Sequence, residues 1–191
     1  MITNFIFLFI FLFAITVFSL NLRKIIRNIN LGIDVDRSDN KKIRLKNMFR
    51  VALGQSKMFD RPIAAVLHLF LYVGFIIINI EVVEILIDGI FGTHRFLAHY
   101  INDTIYNILI GSFEILAFLV FFSCVIFLIR RNVIRLKRFF SKEMTSWPKT
   151  DANLILIFEI LLMGAFLLMN AADGLLQTSN IDNYIIAGSF P

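Results

Sequence analysis

The sequence predicts an all-α polytopic membrane bundle of four spans, with N-terminus and C-terminus outside and one amphipathic helix on the inner surface. Three observations carry that prediction. Four apolar runs, about 2–20, 63–87, 105–129 and 152–172, reach the roughly 20 residues that cross a hydrocarbon core of about 30 Å. The 191 residues are 58% hydrophobic, include 22 Phe and have a mean hydropathy of +0.78. A water-soluble chain of this size cannot hide so much apolar surface. Finally, eighteen of the nineteen Lys and Arg fall in Arg23–Arg61 and Arg130–Lys149, beside the apolar runs. Charge is costly inside a bilayer and basic loops stay on the cytoplasmic side, so this pattern gives class and orientation together.

The elements follow in order. No positive residue precedes the first run, no small-x-small cleavage site follows it, and a basic segment comes next, which predicts a retained anchor and not a removed signal peptide. Residues 21–62 hold eleven Lys and Arg against Asp34, Asp36, Asp39 and Asp60, whereas 88–104 hold only Arg95. Residues 130–151 hold seven, and the tail from Asp173 holds none. Segments 21–62 and 130–151 are therefore cytoplasmic loops of a single membrane domain, 1–191, expected to be multi-pass in a prokaryotic cytoplasmic membrane. Their charge suits anionic lipid head groups or an acidic partner, and the expected partners include no nucleic acid.

Within the first loop, Leu45, Met48, Phe49, Ala52 and Leu53 fall at helical spacing among Lys42, Arg44, Lys46 and Arg50. Ser38 or Asp39 is the expected cap and Gly54 the expected stop. Asp60 and Pro62 suit the start of the second span, and Thr150 or Asp151 the cap of the fourth, after an interfacial Trp147-Pro148. Asp34, Asp36 and Asp39 resemble a calcium loop only superficially, because the twelfth position is Leu45 and the turn glycine is missing. Cys124 is the single cysteine, so the chain has no internal disulfide and no Cys-built zinc or iron–sulfur site of its own.

Polar residues inside spans are costly to keep and are the first candidates for function. His68 lies near the inner end of the second span. At 100° per residue Tyr72, Phe75 and Asn79 share its face, which is expected to look into the bundle, with Glu81 and Glu84 pointing largely the other way. His68 is either a histidine bonded to a neighbouring helix or a haem ligand, and a bis-histidine haem needs a second imidazole that no other span carries. His94 and His99 lie in the outer loop. They read first as interfacial residues, with His94 and Arg95 as a weaker candidate contact for a haem propionate or quinone carbonyl. Glu159, Met163, Phe166 and Asn170 form one stripe of the fourth span, continued by Asp173. Glu81, Glu84, Glu114 and Glu159 are candidates for proton sites or for helix pairing. Pairing is the favoured reading because no Lys or Arg is expected at matching depth. Cys124, Met163 and Met169 read as packing residues.

The strings Asp34-Val35-Asp36-Arg37-Ser38-Asp39-Asn40 and Arg50-Val51-Ala52-Leu53-Gly54-Gln55-Ser56-Lys57-Met58 carry a resemblance. So do Leu67-His68-Leu69, Tyr72-Val73-Gly74-Phe75, Phe91-Gly92-Thr93-His94-Arg95 and Lys142-Glu143-Met144-Thr145-Ser146-Trp147-Pro148. Together they resemble the membrane-anchored iron–sulfur oxidoreductases related to heterodisulfide reductase. Their N-terminal membrane region is similar to the gamma subunit of respiratory nitrate reductase and is fused to a cytoplasmic part with four-iron (4Fe-4S) clusters. The resemblance implies a membrane anchor of a respiratory-type electron-transfer oxidoreductase, passing electrons between membrane quinone or haem b and a cytoplasmic iron–sulfur module. It implies His68 as a candidate haem ligand and His94 as a distant second. The family continues through a fifth span with further histidines into Cys motifs, whereas this chain stops at Ala187-Gly188-Ser189-Phe190-Pro191. The resemblance therefore implies a piece cut before the second haem ligand and every cluster ligand, without turnover of its own. The competing expectation is a non-redox membrane protein, a transporter subunit or assembly scaffold, with Glu114 and Glu159 as buried carboxylates.

Overall fold

The structure is a computed structural model that describes residues 2–33, 36, 39–54, 61–136 and 147–178, and among these every regular element is helical. The long helices are α1 (Ile2–Ile29), α3 (Pro62–Phe91), α4 (Asp103–Asn132) and α5 (Trp147–Thr178), with the short α2 (Lys41–Met48) between the first two. Each long helix contains a window apolar enough to cross a membrane, with mean hydropathies of 2.6, 2.4, 2.6 and 2.3 in chain order.

All four outrun the apolar stretches that announce them. α1 carries on through Arg23, Lys24 and Arg27, and α5 starts at Trp147. Lys and Arg are good helix formers, so hydropathy ends where charge begins while the helix continues. Thr150 and Asp151 therefore lie inside α5 and do not cap it. Helix ends otherwise follow local chemistry. Pro62 takes the first position of α3, where its missing N–H costs nothing. Asn102 caps α4 by accepting the Thr104 N–H at 3.0 Å, and Arg130 and Arg131 sit in its last turn, where the helix dipole favours cations.

The described chain divides into two compact units. One comprises α1, α2 and the end of α3 with its following turn, Ile87–Thr93. No residue of α1 is buried, and Phe5, Phe9 and Phe13 are all well exposed. A helix apolar on every side fits lipid and not water. Gly92 closes α3 in the left-handed region (φ 72°), donating its N–H to the Asp88 carbonyl at 2.8 Å. The helix in the first basic loop exists, with Asn40 and not Asp39 at its start, and no side chain caps it. Asp39 instead bonds Asn40 and pairs with Arg44 at 3.7 Å. A π-helical turn, Phe49–Leu53, extends α2, and Gly54 ends it by donating to the Phe49 carbonyl at 2.7 Å. Ser38 and Asp60 lie outside the described residues.

The second unit is built from α3 (Ile63–Leu86), the turn after His94, α4 and α5. Its core is Ile78 of α3, Tyr106, Ile110, Phe113, Ala117, Val120 and Cys124 of α4, and Met163 and Phe166 of α5, joined by Ala98 of the turn. Gly74 lets α3 approach α4, because a β-carbon there would run into the Val120 side chain. The buried face of α3 is Leu67, Gly74, Ile78, Glu81 and Glu84. This corrects the expected stripe: Glu81 and Glu84 point into the bundle, while Phe75, on the face of His68, is 69% exposed. In a span that is apolar all round, periodicity carries no contrast, and polar and small residues alone mark the packed face.

Candidate functional site

The best-defined polar constellation sits where the Phe96–His99 turn, of 3₁₀ type, meets the C-terminal ends of α3 and α5 and the start of α4. Its centre is Arg95, which the sequence offered as an orientation signal and, with His94, as a weak candidate ligand contact, but not as the partner of the buried carboxylates. Arg95 adopts a left-handed conformation (φ 53°, ψ 57°) that turns its side chain inward, where it is 3% exposed. Nη1 donates to Glu81 Oε1 at 2.7 Å and Nη2 to Asn170 Oδ1 at 2.7 Å. Asp173 Oδ2 receives Nε at 3.0 Å and lies 2.8 Å from Nη2. The expectation that no cation stands at the depth of the carboxylates is thus wrong: the loop between α3 and α4 folds one in.

Glu84 is satisfied separately. It accepts the Tyr106 hydroxyl at 3.0 and 3.1 Å and the Leu97 N–H at 2.9 Å, which ties α3 to α4 and to the turn. Burial acts to lower the Arg95 pKa. The hydrogen bond and charge of Glu81, helped by Tyr106 and Asp173, more than offset this and raise it above the ordinary arginine value. A base raised in this way contributes stability fully present below its ordinary value and lost only as pH climbs through the higher folded one, so the cation persists at physiological pH. His94, half-exposed, brings Nε2 to 3.7 Å from Asp173 Oδ2, and His99 Nδ1 lies 3.3 Å from the Arg95 carbonyl.

The stripe expected on α5 is seen: Met163, Phe166, Asn170 and Asp173 are buried, with Glu159 half-buried at its other end. Glu114 is buried on α4 and borders a groove of about 350 Å³ with Phe118, Leu119, Leu167 and Ala171.

His68 lies at the opposite end of this unit, towards Pro62, Arg131 and Trp147. It lines an open groove of about 320 Å³ with Tyr72, Phe75, Cys124 and Glu159. Among the described residues none of His68, Tyr72 and Glu159 makes a hydrogen bond or ion pair to another side chain. The sequence named His68 and Glu159 as separate candidates, and the packing of α3 on α5 brings them to one cavity. His94 is not part of it: α3 runs 23 residues from His68 to Phe91, roughly 35 Å at 1.5 Å per residue. No group of three or more His, Cys, Asp and Glu among the described residues is arranged to hold a metal ion. No protein-family model, curated protein or solved structure matches the chain.

Proposed function

We propose that this chain is the membrane anchor of an electron-transfer iron–sulfur oxidoreductase, multi-pass in a prokaryotic cytoplasmic membrane. The loop strings given above support the family, and the His68 groove is the observation that carries the reading. Polar side chains at membrane depth are retained when they pair or when they serve a ligand. His68, Tyr72 and Glu159 have no partner among the described residues, and they line a cavity at the low end of the roughly 300–1,000 Å³ typical of small-molecule sites.

A six-coordinate haem does not fit these residues as they stand, since the groove offers one imidazole. A haem b held by His68 would need a further ligand from outside the described residues. The clusters take their cysteines from the cytoplasmic module, fused or separate. A quinone ring asks for less: carbonyl oxygens that accept from an imidazole and a phenol, a carboxyl group for the accompanying proton, and entry from lipid. His68, Tyr72 and Glu159 supply those groups. The basic segments at Arg23–Arg61 and Arg130–Lys149, cytoplasmic by the positive-inside rule, give the module a docking face, with α2 as its seat.

The test is purification of the tagged chain from native membranes with whatever accompanies it, followed by iron analysis and reduced-minus-oxidised spectra. The expected result is co-purifying iron–sulfur protein and a haem or quinone signal that His68→Ala removes without loss of the polypeptide. An unchanged low-spin spectrum in His68→Ala refutes the ligand role, and a preparation without redox centres refutes the anchor reading. One observation favours a second reading, a non-redox transporter subunit or assembly scaffold. The cation whose absence argued against buried carboxylates as a transport site is present in Arg95, paired with Glu81 and Asp173.

A further inference from the structure

We propose that the Arg95 cluster is a proton-exchange site, in which Glu81 and Asn170 share a bridging water and one exchangeable proton that reaches solvent past Asp173 and His94.

Charge makes the first argument. Glu81, Glu84, Glu114 and Asp173 are between 0% and 9% exposed, and the turn brings one buried guanidinium to them. Glu84 and Glu114 both act electrostatically on Glu81. A carboxylate that is 0% exposed with one oxygen unbonded is costly to hold ionised, so Glu81 is the group of the cluster that keeps a proton.

Hydrogen bonding says where. Asp173 receives two of the Arg95 nitrogens, and Glu84 receives the Tyr106 hydroxyl and the Leu97 N–H. Glu81 receives one nitrogen on Oε1, and its Oε2 is buried without a partner. Asn170 is in the same position: Oδ1 is held by Arg95, while Nδ2 is buried and unpaired. An acceptor and a donor are thus left over on two side chains anchored to the same guanidinium. Buried groups of this kind are normally satisfied by an ordered water. Such a water accepts from Nδ2; it also accepts the Oε2 proton when Glu81 is protonated and donates to Oε2 when Glu81 is ionised, so one mobile proton is exchanged at the least compensated carboxylate of the cluster.

Access makes the third argument. From the turn, His94 and His99 approach the cluster, the first half-exposed and in contact with Asp173. Among the described residues, the charged and titratable groups around Glu81 and its Arg95 partner are Glu84 on α3, Tyr106 and Glu114 on α4, and Asp173 on α5, with His94 against Asp173 and His99 against the Arg95 carbonyl. Arg95 stays charged throughout, so the proton moves among the others. This site stands whether or not the chain serves redox groups.

The experiment is infrared difference spectroscopy on the full chain in lipid nanodiscs, wild type minus Glu81→Gln, in H2O and D2O at neutral pH. The expected difference is a carboxylic-acid C=O band that shifts down in D2O, and His94→Ala should slow its H/D exchange several-fold. Carboxylate bands alone in the difference overturn the proton assignment, and an unchanged exchange rate overturns the His94 route. Should Glu81→Gln fail to fold, wild type carrying 13C-labelled glutamate decides the matter. One protonated glutamate signal that converts to the ionised position at alkaline pH, and moves in Asn170→Ala, supports the site. Five ionised glutamates at neutral pH overturn it.

Discussion

Arg95→Ala removes a side chain that ties the loop before the 96–99 turn to both α3 and α5, and its cost can be worked from the geometry. The guanidinium is 3% exposed, so solvent screening gives no reason to discount its pairs. Its contacts of hydrogen-bond length include these four, one to Glu81, one to Asn170 and two to Asp173. Interhelical hydrogen bonds in membranes average about 0.6 kcal/mol, which gives about 2.4 kcal/mol for four. Breaking a buried ion pair by deleting one member costs about 3–5 kcal/mol, because the partner is left uncompensated. The larger figure should govern, since two carboxylates lose their cation together. Unfolding of the detergent-solubilised chain by SDS titration, followed by the fluorescence of its single tryptophan, Trp147, measures the loss. Arg95→Met combined with Glu81→Leu should recover part of it, as the orphaned carboxylate goes with the cation. Arg95→Gly should be milder than Arg95→Ala by about 1 kcal/mol, because glycine adopts φ 53° without strain. A loss below about 1 kcal/mol for Arg95→Ala would sink the claim that this cluster holds the turn on the helix ends.

Two further outcomes follow from the same structure. Tyr106→Phe deletes the hydroxyl on Glu84 and leaves the Leu97 N–H, so the same unfolding assay should show about 1–3 kcal/mol lost, less than for Arg95→Ala. In a Cys124→Ser background, Tyr100→Cys and Val133→Cys place exposed thiols at opposite ends of one unit. A membrane-impermeant maleimide added to intact cells should label only the first. Labelling of Val133→Cys would reverse the orientation read from the basic loops.

The four spans were legible because each is a long run with almost no charge, and one number, hydropathy, suffices to find it. Their ends were less so, since Arg23, Lys24 and Arg27 continue α1 as helix after hydropathy has fallen away. On α5 the stripe from Met163 to Asp173 was legible because Asn170 and Asp173 mark the packed face with polarity. On α3 the same reasoning was right only in part. His68 and Tyr72 do line a groove with Cys124 and Glu159, but Phe75 is exposed, the fully buried polar groups are Glu81 and Glu84, and the contact to α4 is made at Gly74. The pairing of Arg95 with the buried carboxylates escaped because a loop arginine counts first as a topology signal. A clue was still present in the excess of carboxylates at one level: Glu81, Glu84 and Asp173 all lie near the same end of their helices, beside the loop that carries Arg95, and burial there demands a cation.

The two polar ends of the α3–α5 unit differ in a way that bears on function. At the Arg95 end, Glu81, Glu84, Asn170 and Asp173 from two helices meet donors from the turn and α4, leaving two orphan atoms. Such a cluster fixes helix ends, and packing alone gives a reason to keep it. The His68 end has no such reason. An imidazole, a phenol and a carboxyl group line an open cavity without bonding one another or any other described side chain. Apolar residues there would pack as well and remove the cost of holding polar groups at membrane depth. A ligand entering the groove would account for these polar groups, which is why the proposed ligand-binding role rests on His68 and Glu159 and not on the better-bonded arginine cluster.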